Sequence, residues 1–227
     1  MQLVIGNKNY SSWSMRPWVL MKQLGIPFEE VKLRLDLEEG SAFRQGVAMH
    51  SPARTVPVLV DEGFAVWDTL AITEYLAEKH PAVWPTQRQH RARARSLAAE
   101  MHAGFGALRS HCPMNIEASL PEVGARVWAE QPAVQRDVAR IEAAFADALS
   151  DALAHSGGPF LFGDFCAVDA FYAPVCTRLL TYALPVSGTT RDYLQRVVAA
   201  AGVAAWIRDA LAEHDFIDFD EPYRKSR

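Results

Sequence analysis

The sequence predicts a two-domain molecule of α/β plus all-α class: a small mixed-sheet domain over residues 1–80, a linker at 81–88 and a helical bundle over 89–227. Three observations predict it. Alanine is scarce before residue 88 and abundant after it, 7 against 28. The early apolar runs are short and punctuated, as strands are, whereas the later ones recur at spacings of three and four. Between them residues 80–89, HPAVWPTQRQ, carry two prolines and no clear period. A chain of 227 residues can bury a sizeable core without disulfide or metal staples.

The elements follow in order. Residues 3–5 form a short apolar strand. Residues 14–24 carry Trp18, Met21 and Leu24 on one helical face, and Gly25 and Pro27 stop the helix. Residues 31–37 alternate: Val31, Leu33, Leu35 and Leu37 are apolar, with Lys32, Arg34 and Asp36 between them. After a linking stretch, strands at 56–60 and 64–67 flank Asp61, Glu62 and Gly63, a tight hairpin signal. Asp68 then opens a helix through Leu70, Ile72, Tyr75 and Leu76. The order βαβ, link, ββα makes a four-stranded mixed sheet, a thioredoxin-like arrangement on pattern alone that other small α/β folds share. Beyond the linker a helical stripe runs Leu97, Met101, Phe105, Leu108, Cys112. Another runs Val134, Val138, Ile141, Phe145, Leu149, Leu153. Both read as bundle core. Further helices are expected at 169–182, 191–200 and 203–214.

Composition excludes several classes. Half of the residues are hydrophobic and 22% charged, which sets disorder aside. A net charge of −4 provides no general attraction to nucleic acid or an anionic membrane. Cys112, Cys166 and Cys176 form neither a CxxC pair nor a zinc spacing, so reduced thiols and no metal site are expected. The histidines show no HExxH pattern. The N-terminal apolar stretch is too short for a signal peptide, and the longest apolar run, 197–207, is too short for a bilayer span. The reading is a soluble cytosolic protein.

Three constellations could carry chemistry. Residues 10–18, YSSWSMRPW, lie between the first strand and the first helix. Ser14 reads as a helix cap and Pro17 as a first-turn proline. Capping accounts for one serine, not for three and a tyrosine. A helix N-terminus favours an anion there, a thiolate or a phosphate, and no glycine-rich phosphate loop is present. Second, Pro57 after Val56 reads either as a strand-edge proline or as a cis X-Pro turn. The turn would leave the Val56 N–H and C=O free for an extended peptide. Third, Asp68 and Thr69 open a helix. Asp68 can simply cap it, or the pair can hold the carboxylate and amine of a ligand. Arg88, Arg91 and Arg95, with His90 and Arg93 among them, read as a solvated or interface face. The tail at 215–227, of mixed charge, reads as a loosely packed terminus.

Together these pieces resemble the glutathione transferase family over essentially the whole chain. Residues 11–18, SSWSMRPW, are most similar to the serine-type SSCSWRVR pattern of the zeta class, and the match puts the thiol-activating serine at Ser11. Val56 and Pro57 match the family's cis-proline site, and Asp68 and Thr69 stand where it usually has Glu or Gln followed by Ser. Residues 163–169, GDFCAVD, resemble its helix-capping segment, with Pro174 expected to kink the helix that follows. Trp13 replaces the zeta-class cysteine, which argues against maleylacetoacetate isomerisation. Thr55 stands where a longer side chain often meets glutathione, leaving the glycyl carboxylate to Arg54. Cys166 occupies the capping Ser/Thr position, and a thiol is a poor acceptor.

The resemblance implies a glutathione S-transferase with glutathione as co-substrate, a small hydrophobic electrophile as the other, and a homodimeric assembly. The electrophile would lie against Trp13 and the inner face of the helix bearing Met101 and Phe105. A free thiol titrates near pH 8.5, and lowering that by two units requires about 2.7 kcal/mol. A charge-assisted hydrogen bond supplies about 1.5–3 kcal/mol and a helix N-terminus about 0.3–1 more. One serine hydroxyl at a helix start therefore suffices. Tyr10 and Ser12 compete with Ser11 for the role. No cysteine occurs in the first 80 residues, which argues against glutaredoxin-like chemistry. The rival readings are a non-catalytic binding or scaffold protein on the same fold and a glutathione-dependent isomerase or dehalogenase.

Overall fold

A computed structural model describes residues 1–155 and 157–227, and all side chains among them except those at 153–155. Leu153, the last member of the second apolar stripe, is therefore outside the described side chains. Strands β1 (Gln2–Ile5), β2 (Glu29–Lys32), β3 (Val58–Asp61) and β4 (Phe64–Trp67) form one mixed sheet in the order β2-β1-β3-β4. β1 runs parallel to β2 and antiparallel to β3, which pairs antiparallel with β4. The crossover from β1 to β2 is helix α1 (Ser12–Gln23); α2 (Ala42–Ala48) lies in the linking stretch, and α3 (Thr69–Ala77) follows β4. Glu62 and Gly63 both adopt positive φ, 51° and 83°, as the two-residue hairpin turn between β3 and β4 demands.

The strand expected over 31–37 ends at Lys32. The alternation is genuine, but β1 turns away after Ile5. Leu33 still donates to the Ile5 carbonyl at 2.9 Å, and Leu35 then donates to the Asn7 side chain at 2.8 Å instead of a strand. The third strand starts two residues later than expected, because Pro57 has no N–H for a ladder.

The remaining helices are α4 (Arg88–Ala103), α5 (Gly106–His111), α6 (Pro121–Glu130), α7 (Pro132–His155), α8 (Ala167–Thr181), α9 (Gly188–Ala199) and α10 (Ala201–Glu213). The stripe from Leu97 to Cys112, expected as one helix, is broken at Gly104. A Cβ at Gly104 would sit 2.6 Å from the Glu100 carbonyl oxygen, and Phe105 takes left-handed backbone with φ of 54°. α8 continues through Pro174 and is buried along nearly its whole length. It packs on α1, α4 and α9, while α10 crosses α1 closely. That crossing needs Gly202, whose Cβ would meet the Val19 carbonyl oxygen at 2.6 Å. One continuous apolar cluster runs from Leu3 and Ile5 of the sheet through Met15 and Trp18 of α1 to Phe171, Tyr172 and Trp206. α1 is thus buried on both sides, between the sheet and the helical domain.

Cys166 stands at the N-cap of α8, and Asp169 carries most of the capping. Its carboxylate accepts from the N–H groups of Cys166 (3.0 Å) and Leu161 (3.2 Å) and from the Tyr193 hydroxyl (2.8 Å). All three cysteines are free and buried. The basic cluster at 88–95 does structural work. Arg95 pairs with Glu74 of α3 at 2.7 Å, and Arg91 donates to the carbonyls of Pro85 and Thr86.

Contrary to expectation, the C-terminal tail is packed. Glu221 is buried and accepts from Tyr10, Asn115 and Arg224, and Tyr223 donates to the His111 carbonyl at 2.8 Å. Arg224 and Arg227 both pair with Glu117, more than a hundred positions away, which composition does not reveal. No helix among the described residues is long and apolar enough to cross a membrane.

Candidate functional site

Residues 7–9 set the position of everything that follows β1. The Lys8 ammonium is nearly enclosed, 2.7 Å from both Glu30 and Asp209 and 4.3 Å above the Trp18 ring. Its backbone N–H donates to Glu213 and its carbonyl accepts from the Trp206 indole. Asn7 bonds Asp215, and Asn9 bonds Asn115 and the Glu117 N–H. The loop is clamped between α10 and the segment after α5, so the first turn of α1 is presented at a fixed angle.

There a cavity of about 820 Å³ opens between the two halves. Tyr10, Ser11, Ser12 and Trp13 form one wall; Arg54, Thr55, Val56, Pro57, Asp68 and Thr69 extend it. Gly106, Arg109, Ser110, Pro113, Met114 and Arg178 face them, with Phe219 and Asp220 of the tail. Every residue predicted for thiol activation and glutathione binding is therefore on one cavity. Met101 and Phe105 are not. Both are buried in the core beneath it, Phe105 6.3 Å from the Tyr172 ring, because the break at Gly104 turns α5 rather than α4 toward the opening. A larger cleft of about 1130 Å³, between α4, α7 and residues 162–166, contains none of the predicted residues.

Ser11, not Ser14, occupies the N-cap of α1, and its side chain makes no capping bond. Its hydroxyl donates to Ser14 Oγ at 2.7 Å, and Ser14 Oγ in turn accepts from the Gly6 N–H at 3.1 Å. Ser12 Oγ accepts from the Arg178 guanidinium at 3.2 Å. Tyr10 is engaged elsewhere. Its hydroxyl donates to Glu221 at 2.7 Å, and burial together with that carboxylate pushes its pKa up to about 12. A phenol so held is a poor proton source for a sulfur atom.

The Val56–Pro57 peptide is cis, and the Val56 N–H and C=O have no hydrogen-bond partner among the described residues. Arg54 is exposed at the rim in left-handed backbone, φ 53°. Asp68 caps α3 from φ 72°, accepting the Leu70 N–H at 2.8 Å. His102 of α4 bridges this terminus. Its Nε2 lies 3.2 Å from the Asp68 carboxylate, and its Nδ1 lies 3.2 Å from the Thr69 hydroxyl. Burial, reinforced by Arg16 and Arg109 against the opposing pull of Asp68, holds His102 below its ordinary pKa. A neutral ring with its proton on Nε2 satisfies both contacts.

The sequence reading missed a cluster of arginines. Arg16 lies 4.1 Å from the Trp13 ring centroid and Arg109 lies 4.7 Å from it, while the His102 ring meets Trp13 edge-on at 5.1 Å. Arg16 is 1% exposed, and its Nε and Nη1 have no hydrogen-bond partner. Burial, then Arg178 and Arg109, pull its pKa down to about 9; burial, then Arg109, pull Arg178 down to about 10. The available signal was Arg16 itself, a charge set between Met15 and Trp18 in an apolar helix. Arg178 carries the same mark, a charge between Cys176 and Leu179 in the apolar helix α8, whereas Arg109 does not.

Comparison with known proteins identifies the family. Residues 10–79 match the family model described as glutathione S-transferase, N-terminal domain, and residues 131–209 match its C-terminal domain, together more than half of the chain. Glutathione S-transferase theta-3 of Mus musculus is 35% identical over 99 residues, 42% of this chain and 39% of that protein. Dichloromethane dehalogenase of Methylorubrum extorquens is 39% identical over 61 residues, 26% of this chain and 20% of that protein. The chain thus matches less than half the length of these curated relatives. A crystal structure of a glutathione transferase homologue from Burkholderia gl BGR1, with bound glutathione, is 25% identical at a TM-score of 0.68. That match covers 92% of this chain and 97% of the other. The fold and both domain matches converge: the chain belongs to the glutathione S-transferase family.

Proposed function

We propose that this protein is a serine-type glutathione transferase, zeta-like in its N-terminal motif, in which Ser11 donates a hydrogen bond to the glutathione thiolate. The observation that carries the reading is the placement of Ser11 at the N-cap of α1 with its hydroxyl not used for capping, on the same cavity as Val56, Pro57, Asp68 and Thr69. Residues 1–80 bind glutathione, residues 81–88 link, and residues 89–227 shape the second-substrate pocket, with Trp13 at its wall. Asp68 and the Thr69 N–H hold the γ-glutamyl end. The Val56 backbone pairs with the cysteinyl unit, and Arg54 meets the glycyl carboxylate.

On binding, the thiol proton leaves to solvent and the Ser11 proton turns from Ser14 to the sulfur. The sulfur then forms a bond to the electrophilic carbon of a small hydrophobic substrate, and the leaving group departs with its electron pair. This step calls for no metal. Tyr10, committed to Glu221, anchors the tail instead. One observation favours a second reading, in which Ser12 is the donor. Ser12 Oγ accepts from Arg178, which polarises a hydroxyl whose own proton is uncommitted among the described residues.

Glutathione binding by calorimetry, followed by conjugation of a chlorodinitroaromatic by wild type, S11A and S12A, tests the assignment. The expected result is glutathione binding in all three and loss of turnover in S11A. Loss confined to S12A moves the role by one residue. Binding without any turnover supports a non-catalytic glutathione-binding protein instead, and turnover on an isomerisable substrate alone supports an isomerase.

A further inference from the structure

Four arginines and two aspartates line the cavity, in a protein whose net charge is −4. Arg54 is accounted for by the glycyl end of glutathione, on the side of the N-terminal half. Arg109 of α5 and Arg178 of α8 stand on the opposite wall, and among the described residues no carboxylate lies within ion-pair distance of either. Arg178 is anchored by backbone carbonyls, Nε to Cys112 at 2.9 Å and Nη1 to Pro174 at 3.3 Å, and gives one Nη2 hydrogen to Ser12. Arg109 donates only through Nη1, in long bonds to the His102 and Gly104 carbonyls at 3.3 and 3.4 Å. Behind Trp13, Arg16 adds a third positive charge, buried like Arg178 while Arg109 is half-buried, with two unsatisfied nitrogen atoms. Asp68 and Asp220 line the same cavity and act on Arg16 and Arg178 at longer range, but among the described residues none of the three arginines has a carboxylate within ion-pair distance. Buried cations are ordinarily paired, so three without a close partner can take an anion from a ligand. Trp13, Pro113 and Met114 beside them supply apolar contact for the body of the same molecule.

We propose that the second substrate is an electrophile carrying a carboxylate, gripped by Arg109 and Arg178 with Arg16 supporting the charge from behind Trp13. The proposal rests on the transferase reading and names its substrate class. It combines an apolar body with a single negative head, and it places the head on the helical side, so that the reacting carbon faces the Ser11 wall. An aryl chloride of this class reacts in balance: the sulfur–carbon bond forms, the carbon–chlorine bond breaks, and chloride leaves with the pair.

The test uses a matched pair, 4-chloro-3-nitrobenzoate and the neutral 4-chloro-3-nitrobenzamide, which share the electrophilic carbon. Calorimetry on the full chain without glutathione should show the benzoate binding at least tenfold more tightly. R109M should bring the ratio of the two affinities toward one, and R109K should restore most of it. R178M should act in the same direction; if it does not fold, as its buried carbonyl contacts allow, R109M alone decides. With glutathione, the KM ratio for conjugation should follow the binding ratio. Equal binding of the two probes overturns the proposal. So does benzoate binding weakened more than tenfold by saturating glutathione, since the arginines would then be serving glutathione's own carboxylates. A benzoate preference that persists in a protein unable to bind glutathione refutes the transferase reading and leaves the anion site standing.

Discussion

Tyr10 and Ser11 are neighbours in sequence with opposite surroundings, and the roles proposed for them rest on those surroundings. Tyr10 ties the start of α1 to the tail through Glu221, Asn115 and Arg224, a network closed at Asp215 and Ile217. Tyr10→Phe leaves that network without its donor and should cost about 1–3 kcal/mol in a urea melt. It should leave conjugation within a few-fold of wild type; a loss as deep as that of S11A would make Tyr10 the thiol donor. At this scale the cavity was partly legible. Ser11, Val56, Pro57, Asp68 and Thr69, which share it, stand out in the sequence because each belongs to a local pattern: a strand–serine–helix run, an X-Pro, an acidic cap. Arg109, Arg178 and His102 belong to none of these patterns, and what gives them meaning is contact with Trp13, Ser12 and Asp68 across the domain boundary. The choice of Met101 and Phe105 failed for a related reason. Helical spacing identifies an apolar face, but the break at Gly104 decides which stretch of it meets the cavity.

Among the elements, the short first strand, the hairpin and the long helices were readable from period and punctuation. α2 was not, because seven residues are too few for a helical period to stand out. The second strand was overextended because alternation reports a half-buried extended segment, whether or not a partner strand is present. At the start of α8, Cys166 looked like a weak cap, and the carboxylate of Asp169 takes over most of the task. Burial pushes Asp169 up to about 6, against the opposing pull of the Cys166, Tyr193 and Leu161 donors. Between that value and the usual carboxylate pKa near 4 the folded state binds more protons than the unfolded chain, so this group's contribution to stability rises as pH falls from about 6 to about 4. In Asp169→Asn that dependence disappears. Urea melts at pH 4.5, 5.5 and 7 should show wild type gaining on the variant toward low pH, by up to about 3 kcal/mol. A difference constant across that range would contradict the assignment.

For the whole molecule, the decisive feature is that one apolar cluster crosses the boundary the alanine content marks. α1 serves both halves, and Lys8, Asn7 and Asn9 lock its leading loop onto α10 and the segment after α5. The cavity is therefore built by the docking of two domains that sequence composition could only separate. The reading also carries a cytosolic homodimer. Phe64 and Trp67, exposed on edge strand β4, and Met49 are apolar surface that a second copy would cover if the proposed dimer forms, and light scattering should then give about twice the 25.2 kDa of one chain. A mass of one chain would contradict it. The proposed function stands or falls on whether Ser11 activates the thiol of bound glutathione. The most direct measurement is the pKa of protein-bound glutathione, read from thiolate absorbance in wild type and S11A. The value expected in wild type is about two units below the free thiol, rising by at least one unit in S11A while glutathione still binds. An unchanged pKa in S11A, with glutathione bound equally well, would contradict it.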